Sequence, residues 1–256
     1  MINEQSIRAF IQLIHGDGVE AGHGNVVIWR VDTKTATFCE TVDAAVEAAL
    51  AAATTTAVYM GACLVAHGVN KGRGKVEDVT CVPGVWADGD LATEYRKKKG
   101  DLPETEEQLK EAFNKIGIRP TVHVYSGGGI QAWWKFVEPW YLDSELEHET
   151  AVKFSRRWGE TLRQVFQSFG WTIDATFDLT RVFRIPGTLN HKFKPPKPIY
   201  LESVSRQCNP DDVERLFVDI DTRASGVTYE QPEVAPIHMG VDRIDEERVK
   251  LLVENL

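Results

Sequence analysis

The run Val85-Trp86-Ala87-Asp88-Gly89-Asp90 constrains this chain more than any other stretch. An apolar segment that closes on Asp-x-Asp reads as a buried strand. Side chains along a strand alternate with period two, so both carboxylates fall on one face. Hard divalent cations take such oxygen ligands. A third acid, Asp174, stands ahead of a segment of opposite character, for residues 181–197 hold five Lys or Arg and no Asp or Glu. Anionic phosphate is a common reason to set that charge beside a metal site. Together the two features point to nucleotide chemistry.

The rest of the composition narrows the class. A chain of 256 residues makes one large domain or two small ones, and a hydrophobic share of 43% is that of an ordinary globular protein. No apolar run approaches the length of a bilayer span, and the N-terminus lacks a signal peptide's charged start and cleavage site. A cytoplasmic protein without a membrane partner is expected. Cys39, Cys63, Cys81 and Cys208 form no C-x-x-C pair and have no His at zinc-ligand spacing, so they read as core thiols. The net charge of -9 argues against a nonspecific nucleic-acid coat, which leaves local contact as the way to hold DNA.

Apolar spacing and punctuation predict alternating helices and strands. Asn3 caps a first helix with Ile7, Phe10, Ile11 and Ile14 on one face and Gly16 as its stop. Residues 26–31 form a strand, 42–52 a helix and 57–64 a strand. The strand ending at Asp88 leads into a basic loop over residues 95–100. Thr105 and Gln108 then make a capping box for a helix that Gly117 ends. Residues 121–125 and 131–136 flank Ser126-Gly127-Gly128-Gly129 as a hairpin. A longer helix carries Ala151, Phe154, Trp158, Leu162, Val165, Phe166 and Phe169 up to Gly170. Residues 198–203 form a short strand, and Asn209 caps a helix through Phe217. Beyond about residue 222 the composition becomes Pro-rich and weakly apolar, so residues 223–256 read as a linker and the start of a further module.

Each candidate site residue has a plainer competitor. Asp219-Ile220-Asp221 repeats the Asp-x-Asp spacing without a basic partner run and reads as structural or solvated. The triple glycine is either a turn or a place where backbone, Gly128 included, approaches a ligand closely. Lys97 and Lys98 are either solvated charge or, with Arg73, contacts for a DNA template. Trp133 and Trp134 read as core on one face, with the alternate ring stacking on a base if that face is open. Arg184-Ile-Pro-Gly187-Thr bends the chain sharply and returns Asn190, His191 and Lys192 toward Arg184, a convergence that a solvated turn does not need.

In order, Trp86-Ala-Asp88-Gly-Asp90, Ser126-Gly-Gly-Gly129-Ile-Gln131-Ala-Trp-Trp134, and Asp174 followed by Asp178-Leu-Thr-Arg181-Val-Phe-Arg184-Ile-Pro-Gly-Thr-Leu-Asn190-His-Lys192 resemble the three motifs of archaeo-eukaryotic-type primases. They are most similar to the primase-polymerase domains of plasmid, phage and prophage replication proteins. The resemblance implies an α/β (α+β) fold, an RRM-like catalytic sheet packed on an N-terminal α/β module. The modules would span about residues 1–75 and 76–222. It implies template-directed nucleotidyl transfer on single-stranded DNA with a primer, from NTPs or dNTPs, with two Mg2+ or Mn2+ ions. A helicase or other replication module would be a partner. By motif, Asp88, Asp90 and Asp174 are the metal ligands and catalytic acids. Ser126, Gly128, Gln131, Arg184, Asn190, His191 and Lys192 would handle the nucleotide. Gln131 departs from the family, which commonly has a histidine there that contacts the triphosphate. Asp178 is expected to orient Arg181 or cap a turn. Two other classes stay open on the residues alone: another two-metal enzyme such as a nuclease, and a noncatalytic initiator or scaffold domain.

Overall fold

Helix α1 (Glu4–Glu20) begins at Asn3, whose Oδ1 accepts the Ser6 N–H at 3.0 Å. This computed structural model describes residues 2–92 and 101–217. The expectations for Lys97, Lys98, Asp219-Ile220-Asp221 and residues 223–256 lie outside the described residues. Helix α1 does not stop at Gly16. It runs on through Gly18, and the turn comes at Gly22, with φ 75°. Gly18 is buried because it is a point of close approach: a Cβ there would lie 2.8 Å from Leu64 Cδ1 and 2.9 Å from Cys81 Sγ.

Strand β1 (Val26–Arg30) pairs with β2 (Thr35–Cys39), an edge strand whose largely exposed side chains leave no apolar signature in the sequence. Helix α2 (Val42–Ala53) follows a Thr41 cap. The single strand expected over residues 57–64 is divided. β3 (Val58–Gly61) stays beside β1, while β4 (Leu64–Val65) crosses to a second sheet. Strand β5 (Val79–Asp90) carries the acidic run and continues past Asp88 to Asp90. Helix α3 (Glu106–Asn114) starts from the Thr105–Gln108 capping box.

Strands β6 (Val122–Tyr125) and β7 (Gly129–Tyr141) form the hairpin around the glycine turn. Helix α4 (Glu145–Ser168) ends ahead of Gly170, at φ 76°. β8 (Val182–Arg184), β9 (Leu189–Asn190), β10 (Lys197–Pro198) and β11 (Tyr200–Ser203) follow. The last described helix, α5 (Pro210–Glu214), is shorter than the pattern through Phe217 suggests. Two further turn bonds, Leu216 to Val213 and Phe217 to Glu214, continue the chain.

Every pairing between these strands is antiparallel, in a five-stranded sheet of order β11-β6-β7-β5-β4 and a four-stranded sheet of order β2-β1-β3-β8. A division near residue 75 is thus crossed in both directions, since β4 joins the later sheet and β8 the earlier one. Alternation along the strands sorts two cores. Trp86, Trp133, Val122 and Val124 share a core with α1, α2 and Phe183 on one face of the large sheet; Val85, Ala87, Ala132 and Trp134 meet α3 and α4 on the other. No described helix is long and apolar enough to cross a membrane. Cys39, Cys63 and Cys81 are buried thiols, and burial raises the pKa of each.

Candidate active site

Register places the acids of β5. Trp86 stands opposite Trp133, Asp88 opposite Gln131 and Asp90 opposite Gly129. Residues paired across an antiparallel ladder share a face. That face therefore begins in the core at the two tryptophans and emerges with Asp88, Gln131 and Asp90. Trp133 and Trp134 are both fully buried, with rings 5.0 Å from Phe183 and 4.8 Å from Trp158 respectively. Neither is open for stacking on a base.

The glycine turn is fastened from inside. The Ser126 N–H and Oγ both donate to the Gly129 carbonyl, at 3.0 and 3.1 Å. Gly127 takes φ 77°, and a Cβ on Gly129 would come within 2.1 Å of the Gly89 carbonyl oxygen. Asn190 Nδ2 donates to the Ser126 carbonyl at 2.5 Å, and its Oδ1 accepts the Lys192 N–H at 3.1 Å. Ser126 and Asn190 thus hold the turn and the β9 segment together. His191 faces away: its ring Nε2 lies 3.4 Å from the Ala53 carbonyl, and it does not line the cleft described below. The Pro186-Gly187 bend is present, with Gly187 at φ 83° and its carbonyl accepting the Asn3 N–H at 2.8 Å.

Asp174 lies on an irregular stretch anchored by other elements. The Trp86 indole N–H donates to the Thr176 carbonyl at 2.7 Å, and the Thr176 N–H to the Asp174 carbonyl at 2.9 Å. Ser155 Oγ on α4 donates to the Phe177 carbonyl, and the Phe177 ring fills the space over Gly159. Asp178 pairs with Arg181 at 2.7 Å and accepts the Thr180 hydroxyl at 3.1 Å, which orients Arg181 as its spacing suggests.

Arg184 sits directly opposite Tyr59 on the small sheet, its guanidinium 4.9 Å from the Tyr59 ring centroid. Gln131 Oε1 accepts the Arg184 backbone N–H at 3.1 Å. Arg184 is 5% exposed, and its Nη1 has no hydrogen-bond partner among the described residues. Burial lowers its pKa while Tyr59, Asp88 and Asp90 raise it; an arginine stays charged at any physiological pH. Burial raises the Tyr59 pKa, against the pull of Arg184.

These parts line one cleft of about 420 Å³. Its wall includes Asp88, Asp90 and Asp174 with Arg73, Arg181, Arg184 and Lys192, together with Ser126, Gly128, Gln131 and Asn190. Residues far apart in sequence thus meet around one volume. Tyr59, Thr176 and Phe193 also line it and are absent from the sequence reading. Tyr59 had a faint signal, as it alternates with buried Val58 and Met60 and so points away from their core. Among the described residues, no three of His, Cys, Asp and Glu stand close enough to cage an ion unaided. Magnesium does not need such a cage, since it is typically held by one or two carboxylates with substrate phosphates and water completing its shell. The oxygen donors present fit a site of that kind.

A five-stranded antiparallel sheet, with α1 packed on one face and α3 and α4 on the other, stands with a smaller four-stranded sheet around an acidic and basic cleft. Among solved structures, the chain is similar to the AEP domain of the cyanophage S-2L primase-polymerase. The two share 15% identity with a TM-score of 0.53, over 85% of this chain and 99% of that one. It is also similar to the catalytic domain of primase RepB′, solved in complex with initiator DNA. There the identity is 17% and the TM-score 0.49, over 83% of this chain and 92% of that one. The first likeness carries the fold. No protein-family model and no curated protein matches the chain.

Proposed function

We propose that the cleft is the active site of a DNA primase-polymerase, a nucleotidyl transferase that makes and extends primers on single-stranded DNA from NTPs or dNTPs. The observation that carries this reading is the meeting of Asp88, Asp90 and Asp174 with Arg184, Lys192 and the glycine turn around one volume. Attack of a 3′-hydroxyl on an α-phosphate needs oxygen ligands for cations and positive charge around the leaving pyrophosphate. Asp88, Asp90 and Asp174 would hold Mg2+ or Mn2+, which when bound stabilises charge on the attacking and leaving oxygens. Arg184 and Lys192 oppose the charge of the triphosphate, and the backbone at Gly128 admits it closely. Ser126 and Asn190 keep that turn in place. No side-chain nucleophile is required.

In this reading Arg73, Lys97 and Lys98 meet the template, and residues 1–222 form the catalytic unit. Residues 223–256 then lead toward a further replication module such as a helicase.

The test is extension of an annealed primer, with Mg2+ or Mn2+ and each nucleotide set in turn. The protein should lengthen the primer and release pyrophosphate. Asp88→Ala or Asp90→Ala should abolish incorporation with the melting temperature held, because neighbouring carboxylates repel when no cation lies between them. Release of nucleotides from the DNA would instead mark a nuclease. Near-normal extension by the double variant would remove the site assignment.

A further inference from the structure

Three strands converge on Arg184. It lies on β8, its backbone N–H is accepted by Gln131 Oε1 on β7, and its guanidinium rests over the Tyr59 ring on β3. The orientation of the Gln131 amide is settled chemically, because a backbone N–H can donate only to the oxygen end. A histidine at this position could offer a charged donor to an anion; glutamine has no proton of useful pKa, and its Oε1 is engaged by the Arg184 backbone. Tyr59 contributes through its ring face, on which a planar guanidinium stacks well. With the backbone and the plane both held, Nη1 remains buried, without a hydrogen-bond partner among the described residues, in the wall that also carries Asp88 and Asp90.

We propose that Gln131 and Tyr59 are positioning residues that hold the Arg184 guanidinium ready for a phosphate-class oxyanion in the cleft. Neither has to touch the anion. A side chain locked before binding loses less freedom when the ligand arrives, so its bond is realised more fully in affinity. A buried donor without a partner also regains a strong bond when an anionic oxygen reaches it. The inference rests on the proposed function only in naming phosphate as the anion.

The probe is inorganic tripolyphosphate, titrated calorimetrically into the full chain. The variants are Gln131→Ala, Tyr59→Leu, Tyr59→Phe and Arg184→Ala, with each of the first two also combined with Arg184→Ala. Gln131→Ala and Tyr59→Leu should each weaken binding about fivefold, the size of one ordinary net bond. Tyr59→Phe, which keeps the ring, should stay within about twofold of the starting protein. In the Arg184→Ala background neither change should matter further, because residues that act through one partner are not additive. With nucleotide and primer, both should raise KM and spare kcat.

Losses that persist at full size without Arg184 would overturn the proposal, as would Tyr59→Phe harming binding as much as Tyr59→Leu, or no tripolyphosphate binding by the unaltered protein. Where Gln131→Ala does not fold, the half-buried Tyr59 pair decides by the same criteria. Coupled binding without primer extension would leave the positioning role standing and remove the polymerase reading. Extension with additive losses would do the reverse.

Discussion

Asp88 and Asp90 reach the cleft on a strand of twelve residues laddered to β7 as far as Asp90, whereas Asp174 reaches it from an irregular stretch between α4 and β8. The strand side is placed by its own ladder and by the alternation of side chains. The loop side is placed from outside, by the Trp86 indole, by Ser155, and by the gap at Gly159 that receives the Phe177 ring. The difference is one of where geometry is stored. A side-chain change on the strand wall alters chemistry in place, while a change on α4, away from the cleft, can shift an acid that it never touches.

The largest effect should come from attacking the strand wall through its backbone. A Cβ at Gly129 would stand 2.1 Å from the Gly89 carbonyl oxygen, and a ladder cannot yield there without separating β5 from β7. Gly129→Ala should cost about 3 kcal/mol, the upper end of ordinary overpacking, read as a lower urea midpoint with an unchanged slope. A tolerated substitution would mean that the ladder is not what fixes Asp90.

Gly159→Ala tests the loop wall in the same way. Its Cβ would meet Phe177 Cδ2 at 2.1 Å, but a ring can swing aside where a carbonyl in a ladder cannot. A cost of about 2 kcal/mol is expected. Incorporation should fall more than that stability loss explains, because Phe177 carries the Asp174 stretch with it. Unchanged activity would show that the two walls are equally self-supporting.

The smallest effect concerns acid. His15 packs beneath the strand that carries Tyr59, with its Nε2–H donating to the Gly61 carbonyl at 2.9 Å. Burial, assisted by nearby Lys135 and opposed by the Gly61 bond, lowers its pKa from 6.5 to about 4. The unfolded chain binds this proton near pH 6.5 and the folded one only near 4, so His15's contribution is complete above 6.5 and falls as pH drops through that window. Between pH 7 and 5.5 the loss should be about 1 kcal/mol, and His15→Gln should flatten the dependence of the melting temperature on pH. An unchanged slope in His15→Gln would sink this assignment.

Legibility followed the range of the interactions. The Asn3 cap, the Thr105–Gln108 box, the hairpin at Gly127 and the shared face of Asp88 and Asp90 could be read directly, because each depends on residues a few positions apart. Where the reading failed, a distant partner decided. Gly16 does not end α1, since a helix continues through glycine when tertiary packing rewards close approach, as Leu64 and Cys81 do at Gly18. The apolar run over residues 57–64 gives no sign that its ends belong to different sheets.

The amino-acid sequence by itself therefore determined the alternation of helices and strands, the common face of the β5 carboxylates and the tight glycine turn, through propensity and period acting over a few residues. Tertiary structure alone decided that β8 joins β3 and so brings Arg184 over Tyr59, that Gln131 Oε1 is engaged by the Arg184 backbone, and that both central tryptophans are sealed in the core. Pairing between strands more than a hundred residues apart depends on how whole faces fit together. No local pattern encodes that.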